Sequence, residues 1–348
     1  MARTALVMSG GGAKGSFELG VVDYLIRDAG VDPEVIVGVS TGNLNAVMLA
    51  QGKGRAGLIE QLDKLMEVWT GLRSDRDIYT TRFAKYFGFI FKADSIYSNE
   101  PAWKLIQKYV DPAKLKASGR ILRIGVVGLK SGEYFSVDGG YPYIREMVRA
   151  SASIPVFFNP VDITDLPHHI DRERFVDGGV RNVTPLSEAF DALASLSQSS
   201  GGTTQNPDTI HVVLASPLQA DVVSSDRDLD DGIDIGKRSL SLLVNEVYRT
   251  DLQLAMNINL AVKFHEDCLK QGLRLPQGFP FAKHRYVNLV LVEPAVEYMD
   301  SLDFDAGKIA KAINEGRQAA QKALRDAAAA GGTNLKADRF DKDVTVLA

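Results

Sequence analysis

Cysteine is almost absent from this chain, which has one, Cys268, among 348 residues. A single thiol can form neither an internal disulfide nor a cysteine-rich metal site, so both are excluded. Long apolar runs are missing as well: no stretch of about 18 apolar residues occurs, and charged side chains interrupt residues 1–30. We therefore expect no membrane span and a cytoplasmic location, with peripheral contact at a membrane and signal-free export left open.

Positive charge is not in excess either. The 40 lysines and arginines are outnumbered by 44 aspartates and glutamates, which gives a net charge of −4. A general nucleic-acid-binding protein presents a basic surface, so we expect no nucleic-acid partner. The content of 45% apolar and 24% charged residues is typical of a globular chain that buries a sizeable core.

Strand-like and helix-like patterns alternate from the start of the chain. Residues 4–8 form an apolar run that ends in glycines, and an amphipathic helical pattern follows as far as Gly30. Residues 35–39 form a β-branched run, again followed by a helical pattern. This order predicts a parallel sheet with right-handed crossovers. The expected fold class is α/β, with a mostly parallel central sheet flanked by helices.

The clearest linker is residues 197–208, which contain no apolar side chain other than a proline. Strand-like runs of the same buried type lie on both sides of it. We therefore interpret it as a surface loop, and predict that residues 1–348 form a single α/β domain.

A glycine-rich loop follows the first predicted strand and opens the first predicted helix. Its sequence is Gly10-Gly11-Gly12-Ala13-Lys14-Gly15. By itself the loop fits a dinucleotide fingerprint, but no acidic residue stands where the ribose would be bound. It is not a phosphate-binding Walker loop either, because Lys14 precedes the last glycine. The motif alone leaves its function open.

A second motif, Gly38-Val39-Ser40-Thr41-Gly42, also lies between a strand and a helix. It fits the G-x-S-x-G nucleophile elbow, in which a sharp turn exposes the serine hydroxyl at the carboxyl edge of the sheet. The alternative is a glycine-rich turn with a capping serine. Only one strand precedes it, which differs from ordinary α/β-hydrolases. That order brings the first glycine loop next to Ser40, so the loop is better interpreted as an oxyanion hole.

The base that would activate Ser40 is not an obvious histidine. Of five histidines, none follows a catalytic pattern: His168 and His169 lie in a polar stretch, and His211 lies within an apparent strand. Asp177-Gly178-Gly179 instead closes a short predicted strand at residues 174–176. An aspartate before two glycines is commonly only a turn, but its place at a strand end makes Asp177 a candidate acid.

Together the three motifs resemble the patatin-like phospholipases, which carry a glycine-rich oxyanion loop, a G-x-S-x-G serine and an Asp-Gly-Gly aspartate in this order. The segment 149–160 resembles the family block before the aspartate, and Asn182 and Pro185 resemble the Asn-x-x-Pro that follows it. Lys14 matches the basic position of the loop. The resemblance covers residues 3–190 as a catalytic core, which leaves residues 209–335 as a C-terminal extension of the same domain.

The resemblance implies a three-layer patatin-like fold and a Ser–Asp dyad, with Ser40 as nucleophile and Asp177 as proton acceptor. It also implies no metal and no cofactor. The oxyanion hole would be formed by the backbone of Gly10, Gly11, Gly12 and Thr41. The remaining motif glycines are Gly15, Gly38, Gly42, Gly178 and Gly179. Asn43 departs from the family pattern, which usually has a small residue there.

Residues 79–97 contain seven aromatic side chains, with Arg82, Lys85 and Lys92 among them. Such a mixture suits contact with anionic lipid headgroups. The alternative is a core-packing segment or a lid over the site.

The expected function is that of a lipid acyl hydrolase of the phospholipase A, lysophospholipase or esterase type, whose partner is a lipid or ester substrate. Two alternatives stay open. One is a lipid acyltransferase, in which an alcohol replaces water in the second step. The other is a catalytically silent lipid-binding or regulatory protein. The sequence decides neither the lipid nor the oligomeric state.

Overall fold

The computed structural model describes residues 2–81, 95–164, 172–199, 206–219, 232–273 and 278–340. Most of the aromatic segment predicted to contact lipid, residues 82–94, lies outside the described residues, as do His168 and His169. No helix in the described part of the chain is both long and apolar enough to cross a membrane.

Ten strands are described. They are β1 (Thr4–Met8), β2 (Val35–Gly38), β3 (Thr80–Thr81), β4 (Tyr97–Ser98), β5 (Ile121–Gly128), β6 (Tyr134–Asp138), β7 (Val161–Thr164), β8 (Arg172–Asp177), β9 (Asp208–Val213) and β10 (Val287–Val292). Eight of them form one sheet in the order β10-β9-β1-β2-β5-β8-β7, with β6 paired to β5. The strands from β10 to β5 are all parallel to one another. The predicted α/β class with a mostly parallel sheet is confirmed.

Nine α-helices flank this sheet in the described residues. They are α1 (Gly15–Arg27), α2 (Thr41–Ala50), α3 (Gly54–Gly71), α4 (Glu100–Tyr109), α5 (Pro112–Ser118), α6 (Ile144–Ser151), α7 (Leu186–Ser199), α8 (Gly232–Lys270) and α9 (Ala306–Ala329). Their apolar side chains pack into two clusters. One includes α1, α2, α3, α6 and α9, and the other includes α7 and α8. Because side chains alternate along β1, Leu6 joins the first cluster and Val7 the second. The sheet therefore lies between two helical layers.

Two predicted boundaries differ from the structure. The apolar run 156–163 predicts one strand, but β7 begins only at Val161, and Val156 has the left-handed φ of 73° in the turn before it. Helix α7 continues to Ser199, into the predicted linker. Beyond that linker, β9 and β10 extend the same sheet on the far side of β1.

The direction of β8 decides where Asp177 lies. Strand β5 continues four residues past Ile124, which pairs with Gly38 at the end of β2. β8 pairs antiparallel with this continuation, so it runs back toward β2 and Asp177 pairs with Val126. Asp177 thus reaches the end of β2 on a strand that runs opposite to β1, β2 and β5. The sequence patterns indicated a strand end at Asp177 but not this antiparallel pairing.

Candidate active site

Ser40 lies in a tight turn between β2 and α2. Its backbone has φ 53° and ψ −128°, a positive φ that a residue with a side chain rarely adopts. The turn is so close that a Cβ on Gly38 would lie 2.5 Å from the Gly42 carbonyl oxygen. Strained backbone of this kind persists where the surroundings impose it, and it is common at functional sites. The geometry agrees with a nucleophile elbow.

The glycine-rich loop lies directly beside this turn. The N–H of Val39 donates to the Met8 carbonyl at 3.3 Å, and the N–H of Gly42 donates to the Ser9 carbonyl at 3.0 Å. A Cβ on Gly10 would lie only 2.8 Å from the Cβ of Ser40. The loop and the serine therefore share one edge of the sheet, as expected for loops that follow parallel neighbouring strands.

Amide groups for an oxyanion are present at this edge. Within the described residues, no group accepts a hydrogen bond from the backbone N–H of Gly10, Gly11, Gly12 or Thr41. Thr41 is the first residue of α2, so the positive end of the helix dipole also faces this region. Gly12 has a φ of 60°, and a Cβ there would lie 1.9 Å from the Ser301 carbonyl oxygen. Unpaired amides beside Ser40 are the donors that a developing oxyanion requires.

Asp177 is buried next to Ser40. Its carboxylate Oδ1 accepts a hydrogen bond from the Gly179 N–H at 2.8 Å. Burial raises the pKa of Asp177 to about 7, although the Ser40 hydroxyl and the Gly179 N–H each lower it. Oδ2 is buried and has no hydrogen-bond partner among the described residues. A carboxylate with a near-neutral pKa and a free oxygen is suited to accept a proton.

The end of α6 connects both residues. The N–H of Ser40 donates to the Ser151 hydroxyl oxygen at 3.1 Å, and the N–H of Asp177 donates to the Ser153 carbonyl at 3.1 Å. Ser151 and Ser153 are completely buried. One turn of chain thus fixes the backbones of both Ser40 and Asp177. The sequence indicated the surrounding block, residues 149–160, only through its resemblance to the family, and it did not indicate these two hydrogen bonds.

Asn43 makes a further connection to α6. Its side-chain Nδ2 donates to the Ser40 carbonyl at 2.9 Å and to the Val148 carbonyl at 3.1 Å. Its Oδ1 is buried and has no partner in the described part of the chain. Asn43 is the position at which the sequence departs from the family pattern. A small residue there could not form these bonds, so the departure adds a link between the serine turn and α6.

The described histidines take no part in this arrangement. His211 is buried in β9, where it pairs with Leu6 of β1 and Val290 of β10. Burial lowers its pKa to about 4, which keeps the imidazole neutral, and its Nδ1 has no partner among the described residues. Groups of three or more metal-ligating side chains are likewise absent from the described ranges. Asp177 is therefore the titratable group that the fold places beside Ser40.

An apolar pocket opens at Ser40. It has a cavity volume of about 120 Å³, and Ser40, Thr41 and Gly12 are among its lining residues. Most other lining side chains are aliphatic or aromatic, and about half of them come from α2, α3 and α4. Arg149 is the one charged side chain among the lining residues. A long apolar group could therefore lie with its reactive end at the serine.

Residues from the C-terminal part of the chain support the glycine loop. The Tyr248 hydroxyl on α8 donates to the Gly10 carbonyl, and the N–H of Ala13 donates to the Ser301 carbonyl at 2.8 Å. Lys14 forms an ion pair with Glu297 at 2.9 Å. No motif in this part of the sequence indicated such a role.

Comparison with known proteins identifies the family of the chain. The sequence model described as Patatin-like phospholipase matches residues 6–190, slightly more than half of the sequence. The chain belongs to the patatin-like phospholipase family. This confirms the resemblance inferred from the three motifs, and the fold described above is the patatin-like α/β fold.

The patatin-like match contains the glycine loop, Ser40 and Asp177, and it ends before β9, α8 and β10. At a coarse level, membership of the family supports a lipid acyl hydrolase. Among solved structures, VipD from Legionella pneumophila matches 93% of this chain and 67% of its own, at 15% identity and a TM-score of 0.43. A comparison with curated proteins finds no match.

Proposed function

We propose that the protein is a serine lipid acyl hydrolase of the phospholipase A, lysophospholipase or esterase type. It cleaves carboxylic esters through an acyl-enzyme on Ser40, with Asp177 as proton acceptor. The observation that carries the proposal is the strained Ser40 turn beside a buried carboxyl with a pKa of about 7. Both lie where the glycine loop leaves its amides unpaired.

In the first step Asp177 accepts the proton of the Ser40 hydroxyl while Oγ attacks the ester carbonyl carbon. The resulting oxyanion accepts hydrogen bonds from the amides of Gly10, Gly11, Gly12 and Thr41. Loss of one such donor typically costs about 3–4 kcal/mol of transition-state stabilisation. The bond to the leaving alcohol then breaks, and Asp177 returns the proton to the alcohol oxygen.

The second step repeats this chemistry with water. Asp177 accepts a proton from the water, whose oxygen attacks the acyl carbonyl carbon. The bond between that carbon and Ser40 Oγ breaks, and the proton returns to Oγ. The fatty acid is released and both residues regain their starting states. No metal or cofactor is needed by this scheme.

The apolar pocket at Ser40 supports a lipid rather than a small polar ester as substrate. Its lining is mainly aliphatic and aromatic, and Ser40 is one of the lining residues. Transfer of an acyl chain from water into such a pocket is favourable, by about 0.8 kcal/mol for each buried methylene.

A fluorophosphonate probe and an ester-hydrolysis pH profile test the proposal. We expect the probe to label Ser40 and to leave the Ser40→Ala protein unlabelled. Because the unprotonated form of Asp177 is the base, kcat/KM should rise with pH around a midpoint of about 7. Failure of the probe to label Ser40 would instead favour a silent lipid-binding protein. Formation of a new ester with an added alcohol would indicate an acyltransferase.

A further inference from the structure

The apolar pocket runs along one face of α2. Thr41, Leu44 and Met48 all line it, and they recur at the spacing of one helix face. Since Thr41 follows Ser40, this row of lining residues starts beside the serine and leads away from it along the helix. The seven-residue step from Thr41 to Met48 corresponds to about 10 Å along the axis.

Two buried side chains lie at the end of this face that is farther from Ser40. Met48 at the end of this face is 5% exposed, and Val110, which follows α4 and also lines the pocket, is 3% exposed. The Asp111 N–H donates to Gln51 Oε1 at 2.7 Å, and Gln51 Nε2 contacts Met48 Sδ at 3.6 Å. These bonds join the ends of α2 and α4 below the pocket.

A second bond fixes Val110 from the opposite side. Nε of Arg145 on α6 donates to the Val110 carbonyl at 2.8 Å. The charged lining residue, Arg149, belongs to the other end, where its guanidinium donates to Asn99 at the start of α4. The lining residues at the Met48 end are therefore apolar and buried, and hydrogen bonds hold the backbone around them.

We infer that Met48, together with Val110, forms a floor that limits the length of the acyl chain held in the pocket. This inference rests on the proposed function, because it places the ester carbonyl at Ser40. The rise of about 10 Å along α2 from Thr41 to Met48 is about the length of an extended acyl chain of roughly eight to ten carbons. Longer chains would have to bend or leave their ends outside the pocket.

A chain-length series tests the inference with hydrolysis as the readout. p-Nitrophenyl esters from butanoate to palmitate are compared on wild type, Met48→Ala and Met48→Phe. Met256→Ala is the matched control, because Met256 is equally buried at 6% exposure but lies on α8, in the cluster on the other face of the sheet. The quantity compared is the ratio of kcat/KM for long and medium chains, with melting curves for each protein.

We expect wild type to prefer octanoate and decanoate esters. Met48→Ala deepens the pocket, so the ratio of kcat/KM for dodecanoate to that for octanoate should rise about tenfold. One methylene more or less in an apolar pocket typically changes selectivity by about this factor. Met48→Phe should lower the same ratio. Met256→Ala should keep the wild-type profile. If Met48→Ala does not fold, Val110→Phe tests the same floor from the other wall.

A binding measurement separates this inference from the proposed function. Free fatty acids of increasing length are titrated into the Ser40→Ala protein by calorimetry, so that hydrolysis is not required. A limit near decanoate that moves with Met48 supports the floor even if no ester is cleaved. Equal binding of palmitate and decanoate, or folded Met48 variants with the wild-type profile, would overturn it.

Discussion

Residues 6–190 and residues 208–340 contribute to the site in different ways. The first region supplies Ser40, Asp177 and the glycine loop with its unpaired amides. The second supplies partners that hold the loop: the Val213 carbonyl accepts from the Ser9 N–H at 3.1 Å, and the Ser301 carbonyl accepts from Ala13. Chemistry and support are thus divided between the part that the family model matches and the part that it does not.

The largest effect is expected for Asp177→Asn, which should change turnover and stability in opposite directions. Asp177→Asn keeps the shape and the acceptor for the Gly179 N–H but cannot take a proton, so turnover should fall about 10³-fold. Burial holds the pKa of Asp177 at about 7, above its ordinary value of 3.8. Between these two values the folded state retains a proton that the unfolded chain has lost, so wild-type stability falls as pH rises.

Asparagine removes this pH dependence because it titrates in neither state. Thermal and urea unfolding should show Asp177→Asn to be more stable than wild type by up to about 4 kcal/mol at pH 8. The difference should disappear below about pH 4, where the carboxyl is protonated in both states. Near-normal turnover of Asp177→Asn would show that another group is the base.

The next effect concerns the loop itself. A methyl group in Gly10→Ala would press on Ser40, 2.8 Å from its Cβ and 3.4 Å from its Oγ. We expect kcat for ester hydrolysis to fall about 100-fold, as for the loss of an oxyanion donor. Gly71→Ala at the end of α3 is the control, since a Cβ there has no neighbour within 4 Å. Equal activity of the two variants would contradict an oxyanion role for the loop.

A smaller effect is expected at Ser151, which belongs to the first region but only positions Ser40. Ser151→Ala leaves the Ser40 N–H buried without an acceptor, which costs about 1–3 kcal/mol. We expect kcat to fall about tenfold with KM nearly unchanged, and Ser151→Thr, which retains the hydroxyl, to recover most of it. Ser118→Ala is the control, because it removes a buried hydroxyl on α5. It should change the stability of the protein but not kcat. A change confined to KM would argue against positioning.

The smallest effect should come from the second region. Tyr248→Phe removes the hydroxyl that contacts both the Gly10 carbonyl and Ser9 Oγ. Because the two contacts share one proton, we expect a loss of about 1 kcal/mol, or roughly fivefold in rate. Tyr286→Phe, just before β10 at the opposite end of the sheet, is the control and should retain wild-type hydrolysis. If Tyr248→Phe were as damaging as Gly10→Ala, the division between chemistry and support would fail.

Much of the first region could be predicted from sequence, because its function depends on residue types. Only glycine fits at Gly38 and Gly42, where backbones touch, and the proposed function requires a nucleophile at Ser40. These requirements leave spaced motifs in the chain. The strand and helix order of residues 4–50 followed from its hydrophobic pattern in the same way, and it led to the correct α/β class.

The supporting partners could not be predicted because they act through groups that every residue carries. A carbonyl oxygen is present at Val213 and Ser301 whatever the side chain, so no motif indicates its role. The antiparallel pairing of β8 is a long-range contact of the same kind. Ser151 and Tyr248 act through side chains, but nothing local to them shows which loop they reach. That residues 1–348 form a single domain stays a prediction.

The position of β1 inside the sheet has a consequence for any shortened form of the protein. β1 pairs with β2 on one side and with β9 on the other. A fragment that ends at residue 190 contains every motif of the site, yet it exposes the hydrogen-bonding groups along one side of an apolar strand. Such an open strand can recruit a strand from another molecule, and aggregation follows. We therefore expect the segment that the family model matches, residues 6–190, to aggregate when it is produced without the rest of the chain.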